Sequence, residues 1–507
     1  MGKQNNELSA TKTGAIMIFA TLFGMLFGFG REIVLSNFFG TTYVIDAYNV
    51  ANSIPGILFG GIFSAIGTAY MPIFSKITEN ESVGAGRKFT NQVISLLMIV
   101  SIICSVIGII FSSFLVNIIA PGFDYETAKL SSTFLKVIFC YDLFSGITGI
   151  LNSYLRYNGV FVRQILIAYI NDIAIIIGAF IAFYFGYIYL AIGVLCGHIL
   201  NCIITTFVGR TKGYRFRFNF SLGEPVKEIV ALSIPVFIGS SVSQVNSFID
   251  KFLASGLQEG SIAALGYGSL IPSSLVAISS SVIATILYPK ISKAANTGQM
   301  DVLNDMVKRS ITVAIMIVLP FSLGAMAFSD QIVQVIYERG AFSTNSTSLT
   351  SSAMLCYAVG MVFTAVNSVF VNVSYSVKDM KLPLICSIAG IATNICMNLV
   401  LIKPMAHNGL ALATSMASMV SASLIVILMR KHHPEIRGYT SKAKLVKIVV
   451  CAVIAVGIAI GVYKFMMGIC IVRTVNLAAA VVASVICYLI ALKIARVEEI
   501  EIIWEIL

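Results

Sequence analysis

The chain reads as a succession of long apolar runs separated by short polar turns. Fourteen runs lie near 13–37, 43–75, 89–117, 126–155, 161–184, 186–209, 226–255, 261–289, 303–328, 345–376, 381–402, 406–430, 445–468 and 473–495. As helices they are each long enough to cross a hydrocarbon core of about 30 Å, where backbone polar groups must be satisfied within the segment. The pattern predicts an all-α integral membrane protein with about 14 transmembrane helices.

Two of the runs resemble one another. Ile54-Pro55-Gly56-Ile57-Leu58 leads to Met71-Pro72-Ile73-Phe74-Ser75-Lys76, and Ile271-Pro272-Ser273-Ser274-Leu275 leads to Tyr288-Pro289-Lys290-Ile291-Ser292-Lys293. In both, two prolines stand 17 residues apart, and Thr68 and Thr285 match at the same offset of 217. Each stretch is the second helix of a six-helix set. An even number of helices brings both sets in from the same membrane side, which makes the repeat parallel, about an axis along the membrane normal. The expected organisation is an N-lobe over 1–220 (helices 1–6), a C-lobe over 221–435 (helices 7–12), and two extra transmembrane helices with a tail over 436–507. Prolines such as Pro55, Pro235, Pro272 and Pro320 remove helical hydrogen bonds and permit bends. Two lobes and bent helices suit alternating access. The C-terminal stretch from Val497, with Trp504, is acidic and amphipathic and reads as an inner-surface segment or a frayed tail.

Charge then orients the chain. The net charge is +11, with 58% hydrophobic and 11% charged residues. Lys and Arg concentrate in alternate connections, such as Arg210/Lys212/Arg215/Arg217/Lys227 and Arg430 to Lys447, whereas connections such as Pro121-Gly122-Phe123-Asp124-Tyr125-Glu126 are poor in cations. This positive-inside pattern places both termini in the cytoplasm. It assigns the basic charge to topology and anionic inner-leaflet lipid, not to nucleic acid. The first run follows Lys3 and Lys12 without a small-residue cleavage site and reads as a retained span. The ten cysteines form no CxxC or zinc spacing and read as small hydrophobes. No P-loop, HExxH or nucleophile grouping appears, and the outer connections are short for a catalytic domain. The expectation is a transporter, not an enzyme.

Candidate chemistry therefore rests on polar residues at membrane depth, where a charge costs about 2.5–3.5 kcal/mol or more. Arg31 and Glu32 interrupt the first run, and Asp46 lies near the start of the second. Such charges persist because they pair, bind or gate; snorkelling to the interface is the alternative. A pair between Arg31 and Asp46 would close an outer gate in the inward-facing state. Lys136 falls about 16 Å into its helix by a rise of 1.5 Å per residue. It pairs there with Asp142 or Asp172, or meets an anionic substrate. In the seventh run Ser243, Gln244, Asn246, Asp250 and Lys251 form a polar stretch, while Asn394/Asn398 and Leu410/Thr414 each stand four apart on one helix face. A carboxylate, amide oxygens, a hydroxyl and a backbone carbonyl are hard ligands that suit a small cation such as Na+. The same residues also suit interhelical hydrogen bonding.

Several stretches taken together carry a family pattern. They are Gly-Phe-Gly-Arg-Glu at 28–32, Asn37-Phe38-Phe39-Gly40, Asp46-Ala47, Ile54-Pro55 and Ala120-Pro121-Gly122-Phe123. Tyr337-Glu338-Arg339-Gly340-Ala341-Phe342, Tyr375 to Pro383 and His407-Asn408-Gly409-Leu410 follow in order. Over most of residues 10–430 the chain resembles the MviN/MurJ family, of the superfamily that includes multidrug extruders and polysaccharide flippases. The resemblance implies a bacterial plasma-membrane flippase for lipid II, the undecaprenyl-pyrophosphate-linked peptidoglycan precursor, moved from the inner to the outer leaflet. It implies a substrate or gate role for Arg31 and Asp46, a sodium site at Asp250, Asn394, Asn398, Leu410 and Thr414, and a lipid-tail groove formed by the last two helices. Three cavity arginines of the family are missing, at Met25, near Phe59-Gly60 and near Ser269-Leu270. Arg31 and Lys136, with Lys251 nearby, remain to meet a pyrophosphate. A flippase for another polyprenyl-linked saccharide, such as a capsule or teichoic-type precursor, and a cation-coupled multidrug exporter stay open. A membrane glycosyltransferase or polymerase is the alternative of another class.

Overall fold

The computed structural model describes residues 20, 23–221, 223–469 and 472–500. Lys3, Lys12 and Trp504 lie outside the described residues, as do the side chains of Pro235, Ser243 and Thr285. Every regular element among the described residues is helical. Twelve helical segments are long and apolar enough to cross a membrane, and they coincide with twelve of the fourteen expected runs. The other two runs are the first, which begins outside the described residues, and the seventh.

The chain forms two compact units. The first runs to Ala263 and takes in Gly340–Phe342; the second comprises Ala264–Arg339 and Ser343–Leu507. The expected lobes follow the sequence repeat, whereas these units follow packing.

The first unit opens with α1 (23–39), α2 (Tyr43–Pro55), a π turn at Gly56–Gly60 and α3 (Gly61–Asn80). Next come α4 (Val83–Ile110), α5 (Ser112–Ile119), α6 (Tyr125–Ile138), a 3-10 turn at Phe139–Tyr141 and α7 (Asp142–Tyr157). It closes with α8 (Val162–Phe185), α9 (Ile188–Thr211) and α10 (Glu224–Ser255). Its core clusters Tyr70, Phe74, Phe89, Tyr154 and Tyr214, none more than 2% exposed. Tyr70 bonds Thr90 at 2.7 Å, and Tyr154 donates to the Lys212 carbonyl at 3.0 Å. These bonds satisfy hydroxyls that burial would otherwise strand. Between α8 and α9, Gly178 faces Gly193 so closely that a Cβ on Gly178 would stand 2.7 Å from the Gly193 Cα. Small residues of this kind let membrane helices approach without a hydrophobic drive between them.

The second unit holds most of α11 (Ser261–Val282), a π turn at Ile283–Leu287, α12 (Tyr288–Asn296), α13 (Met300–Ala327) and α14 (Ser329–Tyr337). Then follow α15 (Thr344–Ser376), α16 (Lys381–Met405), α17 (His407–His432), α18 (Lys442–Met467) and α19 (Arg473–Ile494). The α18–α19 pair packs on α13 through Val313, Met316, Ile448, Ala452, Ala455 and Leu492. Its other faces expose Val449, Val450, Val453, Val482, Val485 and Ile486, an apolar surface that suits a hydrocarbon surrounding. The prolines of the repeat sit beside disturbed helix. Pro55 precedes one π turn, and Pro289 follows the other by two residues.

Candidate functional site

The first charged group forms on α1 and α8. Arg31 Nε and Nη2 both donate to Glu32 Oε1, at 3.0 and 2.7 Å, and Arg31 Nη1 donates to Asp172 Oδ1 at 2.8 Å. Neighbours one apart on a helix do not face each other, so the long guanidinium folds back to reach Glu32. The three side chains are 30%, 22% and 17% exposed. One fixed cation thus stands between two acidic side chains. The expected pair between Arg31 and Asp46 is not formed. Arg31 is taken by acids that its fork can reach on its own helix and on α8, and Asp46 is taken by backbone amides.

Asp46, 4% exposed, accepts at Oδ2 from the Gly260 amide and at Oδ1 from the Ala263 amide, both at 2.7 Å. Those amides belong to the start of α11, whose early N–H groups have no intrahelical acceptor. A carboxylate is favoured there by both hydrogen bonding and the helix dipole. The arrangement is reciprocal. Thr42, at the N-cap of α2, makes no side-chain cap and donates instead to the Phe39 carbonyl at 2.8 Å. Glu259 supplies the acceptor, taking the Tyr43 amide at 2.8 Å. Each helix start is capped by an acid from the other segment of the chain.

Glycines make the approach of these turns possible. Gly260 (φ +84°) and Gly340 (φ +59°) adopt left-handed backbone, and a Cβ on either would run into the carbonyl of Thr41 or of Asn37. The Ala341 amide donates to the Asn37 carbonyl at 2.8 Å, and the Gly122 amide donates to Ser255 Oγ at 3.1 Å. The stretches Asn37 to Gly40 and Gly340 to Phe342, far apart in sequence, therefore meet.

Lys136 is exposed on α6 and makes no ion pair among the described residues. Its expected pairing with Asp142 or Asp172 is not formed, because Asp172 is held by Arg31 and Asp142 is buried at the start of the following helix. Counting depth along the helix located Lys136 within the span but could not say which face it occupies.

The neutral members of the oxygen set come together across α16 and α17. Asn398 Nδ2 donates to Asn394 Oδ1 at 2.8 Å, Asn394 Nδ2 to Thr414 Oγ1 at 3.2 Å, and Thr414 Oγ1 to the Leu410 carbonyl at 3.1 Å. Asn394 and Asn398 are fully buried. Their amide oxygens, with the hydroxyl and carbonyl, are hard donors of the kind that sodium takes. Asp250 is half-buried on α10 in the first unit.

Sequence reasoning missed Glu259, and it named Asp172 only as a partner for Lys136. Glycines at 40, 260 and 340, each in a connection between helices, were the available signal for the close turns.

Comparison with solved structures identifies the fold. The fold matches a structure described as "Lipid II flippase MurJ, inward closed conformation" with a TM-score of 0.82 at 24% identity, covering 96% of this chain and 99% of that one. It also matches an inward-facing multidrug resistance MATE family transporter of the MOP superfamily, with a TM-score of 0.65 at 15% identity over 84% of this chain and 100% of that one. This is a multi-span helical membrane protein with the fold of that superfamily.

The family is established by sequence. The family model described as "Lipid II flippase MurJ" matches residues 35–482. Relatives described as "Probable lipid II flippase MurJ" include one from Rhizobium meliloti, 29% identical over 82% of this chain and 80% of the relative. Another, from Rickettsia prowazekii, is 28% identical over 83% and 84%. The chain belongs to the MurJ family.

Proposed function

We propose that this protein translocates lipid II, a polyprenyl-pyrophosphate-linked saccharide, from the inner to the outer leaflet of the bacterial plasma membrane by alternating access. The observation that carries the reading is the family match over residues 35–482. It works as a transporter, not an enzyme, with both termini in the cytoplasm and membrane lipid around its spans. Arg31 is the cation for the pyrophosphate. Glu32 and Asp172 hold it until the phosphate oxygens, which accept the same fork of N–H donors, replace them. Exposed Lys136 is a second candidate for the anionic headgroup. Asp46 favours one state by capping α11. Asp250, Asn394, Asn398, Leu410 and Thr414 would hold Na+, for which a carboxylate, amide oxygens, a hydroxyl and a carbonyl are suited donors.

The test is rescue. The chain is expressed in cells depleted of their own lipid II flippase, and growth and outer-leaflet lipid II are scored. The reading expects rescue that Arg31→Ala abolishes. No rescue from well-inserted protein would transfer the substrate to another lipid-linked saccharide. For sodium, the wild type should unfold at higher temperature in NaCl than in choline chloride, and Asp250→Asn should remove the difference.

A further inference from the structure

Three acids within the apolar spans of the first unit differ in what they are offered. Asp46 receives two amides and Asp172 receives a guanidinium. Asp142 receives neither. It is 2% exposed, its Oδ2 has no hydrogen-bond partner, and no cation pairs with it among the described residues. It begins α7 directly after the 3-10 turn Phe139–Tyr141, inside the apolar span Tyr125–Tyr157.

We propose that Asp142 is a proton-binding site, loaded and emptied during the transport cycle. The ligand is a proton, not a metal ion, because among the described residues no other acidic or imidazole group bonds to it. The titratable groups within electrostatic reach of it are Cys104 of α4 and Cys140 and Tyr141 of the turn. Behind these, His198 of α9 stacks on the Tyr141 ring at 4.2 Å and 11°, and Tyr48 of α2 also lies within electrostatic reach of Tyr141. From α3 the neighbour is apolar, Phe63 lying against Gly146 one turn further along. A bare carboxylate in such a place lacks every compensation that a buried charge needs, whereas the neutral acid requires only itself.

The same turn gives the proton a way to leave. A short 3-10 stretch inside a longer helix is a hinge geometry. At this one, Ser105 Oγ donates to the Phe139 carbonyl at 2.7 Å, and Gly108 leaves room for the Phe139 ring. Straightening the break turns Asp142 relative to α4. Half-buried Cys140 and exposed Lys136 share the adjoining face, and in this proposal the carboxyl swings toward that cation when it empties. The ionised form is favoured there.

The experiment uses the full chain in nanodiscs and follows the carboxylic-acid C=O stretch by infrared difference spectroscopy. The wild type should show an acid band near neutral pH that disappears in alkali and is missing from Asp142→Asn. Asp142→Glu should keep a band at a shifted frequency. A wild type without a band that Asp142→Asn removes would overturn the proposal. This readout needs no substrate, so it stands or falls apart from the lipid II reading. In proteoliposomes, an imposed pH gradient should change the wild-type translocation rate several-fold. Asp142→Asn, whose amide mimics the neutral acid, should unfold at the wild-type temperature and translocate at one rate with or without the gradient. Retention of the gradient response in that variant would overturn the coupling.

Discussion

Tyr488 of α19 donates its hydroxyl to the Met316 carbonyl of α13 at 2.8 Å. Four residues after Met316 stands Pro320, which has no N–H to return to that carbonyl. The proline thus creates an acceptor, and the tyrosine from the C-terminal helix pair satisfies it. Tyr488→Phe should cost about 1–3 kcal/mol, the penalty for a stranded buried carbonyl, read as a lower unfolding temperature in nanodiscs. In a Pro320→Ala background the helix regains its own donor. There the same substitution should cost clearly less, and additive losses across the double-mutant cycle would refute the relationship.

Asp46 binds two amides at the start of α11. Hydrogen bonds to a charged acceptor contribute about 1.5–3 kcal/mol. Hydrogen exchange at Gly260 and Ala263 should therefore speed up at least tenfold in Asp46→Ala, with little change in α8. Unchanged exchange at those two amides would mean that the cap is not formed in the membrane.

Arg31 engages Glu32 with two nitrogens and Asp172 with a third. Lysine is a point charge without that fork. Arg31→Lys should lose most of the rescue activity while inserting normally. Asp172→Asn should leave Arg31 less restrained and tighten apparent substrate affinity while slowing turnover. A lysine variant with wild-type rescue would show that charge alone suffices.

At the α15–α16 connection, His433 bridges Asp379 at 3.2 Å and Glu435 at 3.0 Å. Burial opposes the Asp379 charge, yet the His433 bond and the Leu382 and Lys381 amides hold its carboxyl below the usual range. The Glu435 carboxyl is likewise held low, first by its own backbone amide and then by His433. An acid whose folded value is depressed contributes stability above its unfolded value, and that stability fades as pH falls through the folded one. The junction should therefore lose stability as pH falls below about 4, the ordinary carboxylate range. Exchange at Lys381 and Leu382, corrected for intrinsic rates, should report the opening. Asp379→Asn should abolish the pH response.

Much of the fold was legible because hydrocarbon forces each span to satisfy its own backbone. Long apolar runs therefore map onto helices, and twelve of them do so here. The site was legible only in part. Arg31, Glu32 and Asp46 announced themselves as charges in apolar sequence, but the second acid on Arg31 comes from 141 residues away. The partners of Asp46 are backbone amides, which leave no trace in residue type. Asn394, Asn398, Leu410 and Thr414 were found together because helical spacing within each of two neighbouring runs already aligned them.

The two π turns have a consequence for the symmetry of the repeat. Both lie between the paired prolines, yet the first begins one residue after Pro55, and the second ends two residues before Pro289. A π turn absorbs one extra residue, and one residue is about 100° of rotation around a helix. Residues 61–65 follow the first bulge, whereas their counterparts 278–282 precede the second. Measured from the first proline of each half, the two stretches are therefore out of phase by about that angle. Matching positions in these two stretches do not occupy the same face of their helices. A mutation carried from one half to its twin would probe a different face, and arginines placed by sequence symmetry at Ser64 and its counterpart Ser281 would not be equivalent.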